Sequence, residues 1–82
     1  MRLDKYLKVS RLIKRRTVAN EACDTGRVEV NGKIARASYE VKEGDRITLR
    51  FGERALTVEV VSVRENAGKA EAVEMYRELP PQ

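Results

Sequence analysis

Apolar positions near the start of the chain recur at spacings of three and four. In RLDKYLKV, Leu3, Tyr6 and Leu7 form one stripe, which predicts a short helix over residues 2–9. Asp4 falls in the first turn of that helix, where a carboxylate complements the helix dipole. It also precedes Lys8 by four residues, the favourable order for an exposed ion pair. Residues 10–15 read as a connection. A second helix is expected over residues 15–25, with Val18, Ala19, Ala22 and Cys23 as a narrow apolar face. Its small side chains would let the two helices pack closely. Gly26 suits the residue that ends this helix, because glycine takes the left-handed conformation without strain.

After Gly26 the period changes from 3.6 to two. Val28 and Val30 alternate in RVEV, and Asn31-Gly32 follows, a strong hairpin signal before a return strand beginning KIA. Gly44-Asp45 marks a further turn. RITLRF then places Ile47, Leu49 and Phe51 on one face. A turn over residues 52–54 leads into LTVEVVSVR, which alternates through Leu56, Val58, Val60 and Ser62. The tail predicts a third helix over residues 69–78, with Val73, Tyr76 and Leu79 facing the body, Glu71, Glu74 and Glu78 on a solvated face, and Pro80-Pro81 as the stop. Two helices, a small antiparallel sheet and a C-terminal helix sharing one core make an α+β domain. Residues 1–64 carry its main body, and residues 65–82 form a helix and tail within the same single domain.

Composition narrows what such a domain can do. The chain has 82 residues, 41% hydrophobic and 37% charged, enough for one small core under a heavily charged surface. It has no histidine and one cysteine, which removes the commonest general base near neutral pH, a disulfide within the chain and an ordinary zinc site. No apolar run is long enough to span a membrane and no signal-peptide pattern opens the chain, so a cytoplasmic protein is expected. No P-loop, GxGxxG, HExxH or CxxC occurs. No catalytic residue, metal or cofactor is therefore assigned, and the expected class is a binding protein.

Charge supplies the positive signal. The net charge is +4, but residues 1–50 carry 13 basic and 7 acidic side chains while residues 51–82 carry 4 and 6. MRLDKYLKVSRLIKRR alone holds Arg2, Lys5, Lys8, Arg11, Lys14, Arg15 and Arg16 against Asp4. A basic end on a mildly acidic body suits a polyanionic partner. Cations at the start of the second helix oppose its dipole, a small cost that a bound phosphate would offset. Lys33 and Arg36, flanking the Asn31-Gly32 turn, extend the positive surface. No long recognition helix is present, and the body of helix two (Asn20, Glu21, Asp24) suits a DNA major groove poorly. Few aromatics are free for stacking on single strands. Phosphate and shape recognition of folded RNA fits best. Asp4 is either a partner of the helix dipole or, more sharply, a partner of a cation such as Arg16 across the two helices, fixing its guanidinium for a phosphate. Cys23 reads as a buried inert thiol and Tyr6 and Tyr76 as core or edge, while Tyr39 is left open between core and surface. Two other classes fit a small basic domain: a module that docks an acidic protein, and the detached arm of an RNA-modifying enzyme or synthetase.

RLDKYL, RRTVA, GRVEVNGK and VKEGD, in that order, resemble the RNA-binding domain family named after ribosomal protein S4, over about residues 1–51. With RFG and the EAVEMY tail, the whole chain is similar to the RqcP-type ribosome quality-control group of that family, a relative of the heat-shock-protein-fifteen group. The resemblance implies an S4-like (alpha-L) fold. It implies binding to split large ribosomal subunits that still hold peptidyl-tRNA, with contacts to rRNA and tRNA. It further implies work beside an RqcH-type tailing factor while alanine tails are added, and a monomer off the ribosome. The heat-shock-protein-fifteen relation implies the alternative of recycling obstructed large subunits. By the motif match, Arg2, Asp4, Lys5, Arg11, Lys14, Arg15 and Arg16 fall on the RNA-binding face, with Asp4 and Arg16 foremost.

Overall fold

Leu3, Tyr6 and Leu7 are fully buried, so the apolar stripe at the chain start packs onto the core as its spacing requires. A computed structural model describes residues 1–80. The elements run α1 (Leu3–Val9), α2 (Arg16–Asp24), β1 (Val28–Val30), β2 (Lys33–Ile34), β3 (Arg46–Phe51), β4 (Arg54–Val60), α3 (Lys69–Val73) and β5 (Tyr76–Leu79). The five strands form one antiparallel sheet in the order β2-β1-β3-β4-β5. One face of the sheet supplies Val28, Val30, Ile47, Leu49, Val58 and Val60 to a core shared with Ala19, Ala22 and Cys23 of α2. The other face is polar: Thr48 and Thr57 meet across β3 and β4 at 3.1 Å, and Arg77 pairs with Glu59 opposite it at 2.9 Å.

The local signals act at both ends of the hairpin. Asn31 (φ 53°) and Gly32 (φ 84°) both adopt positive φ, the geometry of a two-residue turn whose twist matches the strands. Gly26 (φ 75°) closes α2, with its N–H donating to the Cys23 carbonyl at 3.1 Å and the Arg27 N–H to that of Ala22 at 2.9 Å. The turn before β3 is organised by Asp45, which sequence reading had treated only as a turn residue. Its carboxylate accepts hydrogen bonds from Asn31 Nδ2 (3.1 Å), Tyr39 Oη (3.1 Å) and the Lys42 N–H (2.9 Å). Burial, then the hydrogen bond to Asp45, pushes the Tyr39 phenol up, so Tyr39 is a neutral strut of this loop.

The tail departs from expectation. The helix expected over residues 69–78 stops at Val73, and Tyr76–Leu79 is instead an edge strand on β4. Val73 points to solvent at 63% exposure, and Glu78 sits on β5 rather than on a helix face. Met75, at the corner between α3 and β5, is fully buried. Its carbonyl accepts from Tyr6 Oη (2.7 Å) and from the Val61 and Ser62 N–H groups (2.8 and 3.1 Å). The strand expected over residues 56–64 ends at Val60, opposite Tyr76 at the start of β5, and the Val61 and Ser62 N–H groups converge on the Met75 carbonyl in place of continuing the ladder. Phe51, the last residue of β3, and Val18, beside the fully buried Ala19 on α2, were expected on apolar faces and are half-exposed. Pro80 lies just after β5, and Pro81 lies outside the described residues.

Candidate nucleic-acid interface

α1 and α2 pack against each other at the N-terminal end of the molecule, with residues 37–40 laid across the start of α1. The Leu3 and Asp4 N–H groups, which have no partner within the helix, donate to the Tyr39 and Ala37 carbonyls at 2.8 and 3.1 Å. This docking fixes Asp4 where α2 can reach it. Asp4 is only 2% exposed, unusually deep for a carboxylate. Oδ1 accepts from Arg2 Nε (3.1 Å) and the Lys5 N–H (2.8 Å), and Oδ2 from Arg2 Nη2 (3.3 Å) and Asn20 Nδ2 (3.2 Å). Arg16 Nε lies 3.6 Å from Oδ2. Burial pushes the carboxyl up, but hydrogen bonds from Arg2, Asn20 and the Lys5 N–H, with the Arg16 charge, overcome it and hold Asp4 below the usual carboxylate value.

Both contacts considered for Asp4 are thus present in one carboxylate. It satisfies a free N–H in the first turn of α1, and it reaches Arg16 across the two helices. The pairing with Lys8 does not form: Asp4 faces the packed side of α1 and Lys8 the solvent, and Arg2 takes the carboxylate instead. Arg2 and Arg16 remain half-exposed, at 49% and 50%, so each presents outward-facing N–H groups beyond those that meet Asp4. With Thr17 and Asn20 they line a shallow concavity. Asn20 was missed as part of this group. The signal lay in its spacing, four residues after Arg16 on α2, which puts both on one helix face.

The remaining cations divide. Arg15 is the N-cap residue of α2; that end has no side-chain cap and no acid in its first turn. Lys5 turns away to pair with Glu65, whose carboxyl it holds below the ordinary value. Lys8, Arg11 and Lys14 border a second concavity together with Lys69, which sequence reading did not single out. Lys33 and Arg36 line a third, beside Ile34 and Tyr39 on the hairpin. The cations of the charge run thus border different concavities of the surface. Arg11 ends α1 in the left-handed conformation (φ 63°), where glycine is usual, at a cost of about 1 kcal/mol. Cys23 is buried, and burial followed by the Asp4 and Asp24 charges pushes its thiol up to about 11, which leaves it inert at neutral pH. Among the described residues no helix is long and apolar enough to cross a membrane.

Fold and face together define an α+β domain with a cationic helical surface. The chain belongs to the S4 domain family, whose model matches residues 1–47. It is 57% identical over 76 residues to the "RQC P-site tRNA stabilizing factor" of Halalkalibacterium halodurans, covering 93% of this chain and 86% of that protein. The protein of the same name from Bacillus subtilis is 55% identical over 76 residues, covering 93% and 88%. Among solved structures, the trimeric heat shock protein 15 of Vibrio cholerae superposes with a TM-score of 0.89 at 36% identity, covering 96% of this chain and 81% of that one.

Proposed function

We propose that this chain is a non-catalytic RNA-binding factor of ribosome quality control. It binds split large ribosomal subunits that retain peptidyl-tRNA, contacts rRNA and tRNA, and supports the addition of alanine tails beside an RqcH-type tailing factor. The observation that carries the reading is the buried Asp4 holding Arg2 and Arg16 with their outer N–H groups free, in a chain 57% identical to a P-site tRNA stabilizing factor. Arg2, hydrogen-bonded to this carboxylate, and Arg16, ion-paired with it at 3.6 Å, bring two guanidinium groups together, which suits phosphate oxygens. Beside them, the uncapped start of α2 offers backbone N–H groups and the positive end of a helix. Arg2, Asp4, Arg15 and Arg16 form the centre of the site, with Lys5, Lys8, Arg11, Lys14, Lys33 and Arg36 around it. The mechanism is clamping: the cations release counterions from the RNA backbone and hold the tRNA between transfer cycles.

Gradient co-sedimentation tests this directly. The protein should migrate with large subunits carrying peptidyl-tRNA, and the logarithm of its affinity should fall linearly with log salt. Each lost phosphate contact should lower the slope by about one. A flat salt titration, or migration with an acidic protein in place of the subunit, would sink the reading. The likeness to heat shock protein 15 favours a second reading, in which the same surface recycles obstructed subunits with no tailing factor. Dependence of binding on the tailing factor separates the two.

A further inference from the structure

We propose that Tyr39 and Asp45 are positioning residues for RNA binding: acting through residues 37–41, they set where Asp4 and Arg2 stand relative to Arg16. The inference rests on the RNA-binding reading of the Asp4 group and deepens it. α1 has seven residues and no side-chain cap at its start, so that end is held only by what packs on it. Residues 37–41 supply the hold. The Tyr39 and Ala37 carbonyls accept from the Leu3 and Asp4 N–H groups, the Val41 N–H donates to the Met1 carbonyl at 2.9 Å, and Arg2 bridges to Glu40 between them. The backbone of Arg2 and the N–H of Asp4 are thus tied to one strap.

The strap is in turn anchored to the sheet. Ala37 and Val41 are buried, and between them the Tyr39 phenol donates to Asp45 Oδ2 at 3.1 Å. Among the described residues no other hydrogen bond joins residues 37–40 to the sheet. Asp45 can serve as the anchor because the sheet holds it from two sides. Asn31 Nδ2, in the hairpin turn, donates to Oδ1 at 3.1 Å, and the Val60 N–H at the end of β4 donates to the Asp45 carbonyl at 2.8 Å. Arg16 and Asn20 take their places by another route, from α2, whose Ala19, Ala22 and Cys23 pack into the core. The two halves of the Asp4 group therefore meet from separate supports. Their contacts, 3.2 Å from Asn20 Nδ2 and 3.6 Å from Arg16 Nε, lie at the long end of the useful range, where a small shift of the strap weakens them.

A double-mutant cycle on the full chain tests the proposal. Tyr39→Phe keeps the ring and removes only the hydroxyl, so the fold should persist, as circular dichroism and urea denaturation will read. Its affinity for large subunits carrying peptidyl-tRNA should fall about fivefold, the weight of one ordinary hydrogen bond. In the Asp4→Asn background, where the carboxylate is already gone, the same change should cost less than about twofold. A spectroscopic readout separates positioning from stability alone. The Asp4 carboxyl carbon, followed by NMR in the free protein, should titrate higher in Tyr39→Phe than in wild type, because Arg2 and Asn20 hold the carboxylate less closely. Wild-type affinity for Tyr39→Phe, an equal loss in both backgrounds, or an Asp4 titration that does not move overturns the proposal and, with Asp4→Asn itself weakened, leaves the Asp4-centred reading standing. Asp4→Asn that binds as tightly as wild type overturns that reading and the proposal with it.

Discussion

Replacing Asp4 by asparagine tests whether this carboxylate positions the arginines or merely sits among them. The change preserves volume and removes one charge. If the asparagine oxygen keeps the Lys5 N–H and Arg2 Nε, its amide falls at the Oδ2 place, facing Arg2 Nη2, Asn20 Nδ2 and Arg16 Nε at 3.3, 3.2 and 3.6 Å. Three donors then meet a donor. Asn20 can turn its amide to present oxygen, and the two half-exposed guanidiniums can rehydrate, so the full penalty for a severed buried pair does not apply. Loss of one or two charge-assisted hydrogen bonds leaves about 2 kcal/mol of destabilisation, a Tm drop of roughly 8–16 °C for a domain of this size. The pH dependence carries a definite sign. Asp4 titrates below its unfolded value, so its contribution is fully present above about pH 4 and is lost as pH falls further through the folded value. Wild type and variant should therefore differ by a constant amount from pH 7 to 5 and converge below 4. A difference under 0.5 kcal/mol at pH 7, or one that persists unchanged to pH 2, would refute the account.

Binding adds a test of sign. The substitution raises the net charge from +4 to +5, so attraction by charge alone would tighten binding to RNA. Positioning requires the opposite. Releasing two guanidiniums restores freedom worth about 1 kcal/mol each on binding, and affinity for the loaded large subunit should fall about thirtyfold at a temperature where both proteins are folded. Tighter binding by Asp4→Asn would mean that the arginines need no positioning.

Three further outcomes follow from particular contacts. Arg11→Gly should leave stability within about 0.5 kcal/mol, because relief of the left-handed strain is offset by the looser unfolded chain. Its salt slope of subunit binding should fall by about one; a wild-type slope would remove Arg11 from the interface. Tyr6→Phe removes a buried hydrogen bond of 2.7 Å to the Met75 carbonyl, which keeps its two N–H donors. The loss by urea denaturation should be about 1 kcal/mol, and a loss above 3 would show that Tyr6 does more than tie α1 to the α3–β5 corner. The Cys23 thiol, pushed up to about 11 and buried, should react with a disulfide reagent at pH 8 only as fast as the chain unfolds; rapid stoichiometric labelling of native protein would contradict its burial.

The first half of the chain is legible because local and tertiary preferences agree there. Leu3, Tyr6 and Leu7 need only their spacing, and Asn31-Gly32 needs only its tolerance of positive φ. The tail is not legible for the opposite reason. KAEAVEMYREL is rich in alanine and glutamate and also holds Lys69, Met75, Arg77 and Leu79, all of which favour a helix. Yet β4 would otherwise leave an open edge, and pairing Thr57, Val58, Glu59 and Val60 with Leu79, Glu78, Arg77 and Tyr76 closes it. Burying Met75 at the corner, with three donors on its carbonyl, outweighs the few tenths of a kcal/mol per residue at stake in propensity.

The candidate site divides along the same line. That cations cluster at one end is compositional and can be counted. Which of them share a surface depends on how the chain turns between α1 and α2, and Arg11 at positive φ sets that turn against its own residue preference. Its conformation sends Lys14 toward Lys8 while Arg16, two residues later, reaches Asp4 on the other side of the helix pair. Cations that are neighbours in the charge run therefore border two different concavities. The residues that decide the division, Arg11 and Asn20, carry no signal in the charge count: one looks like another cation and the other like a neutral helix residue.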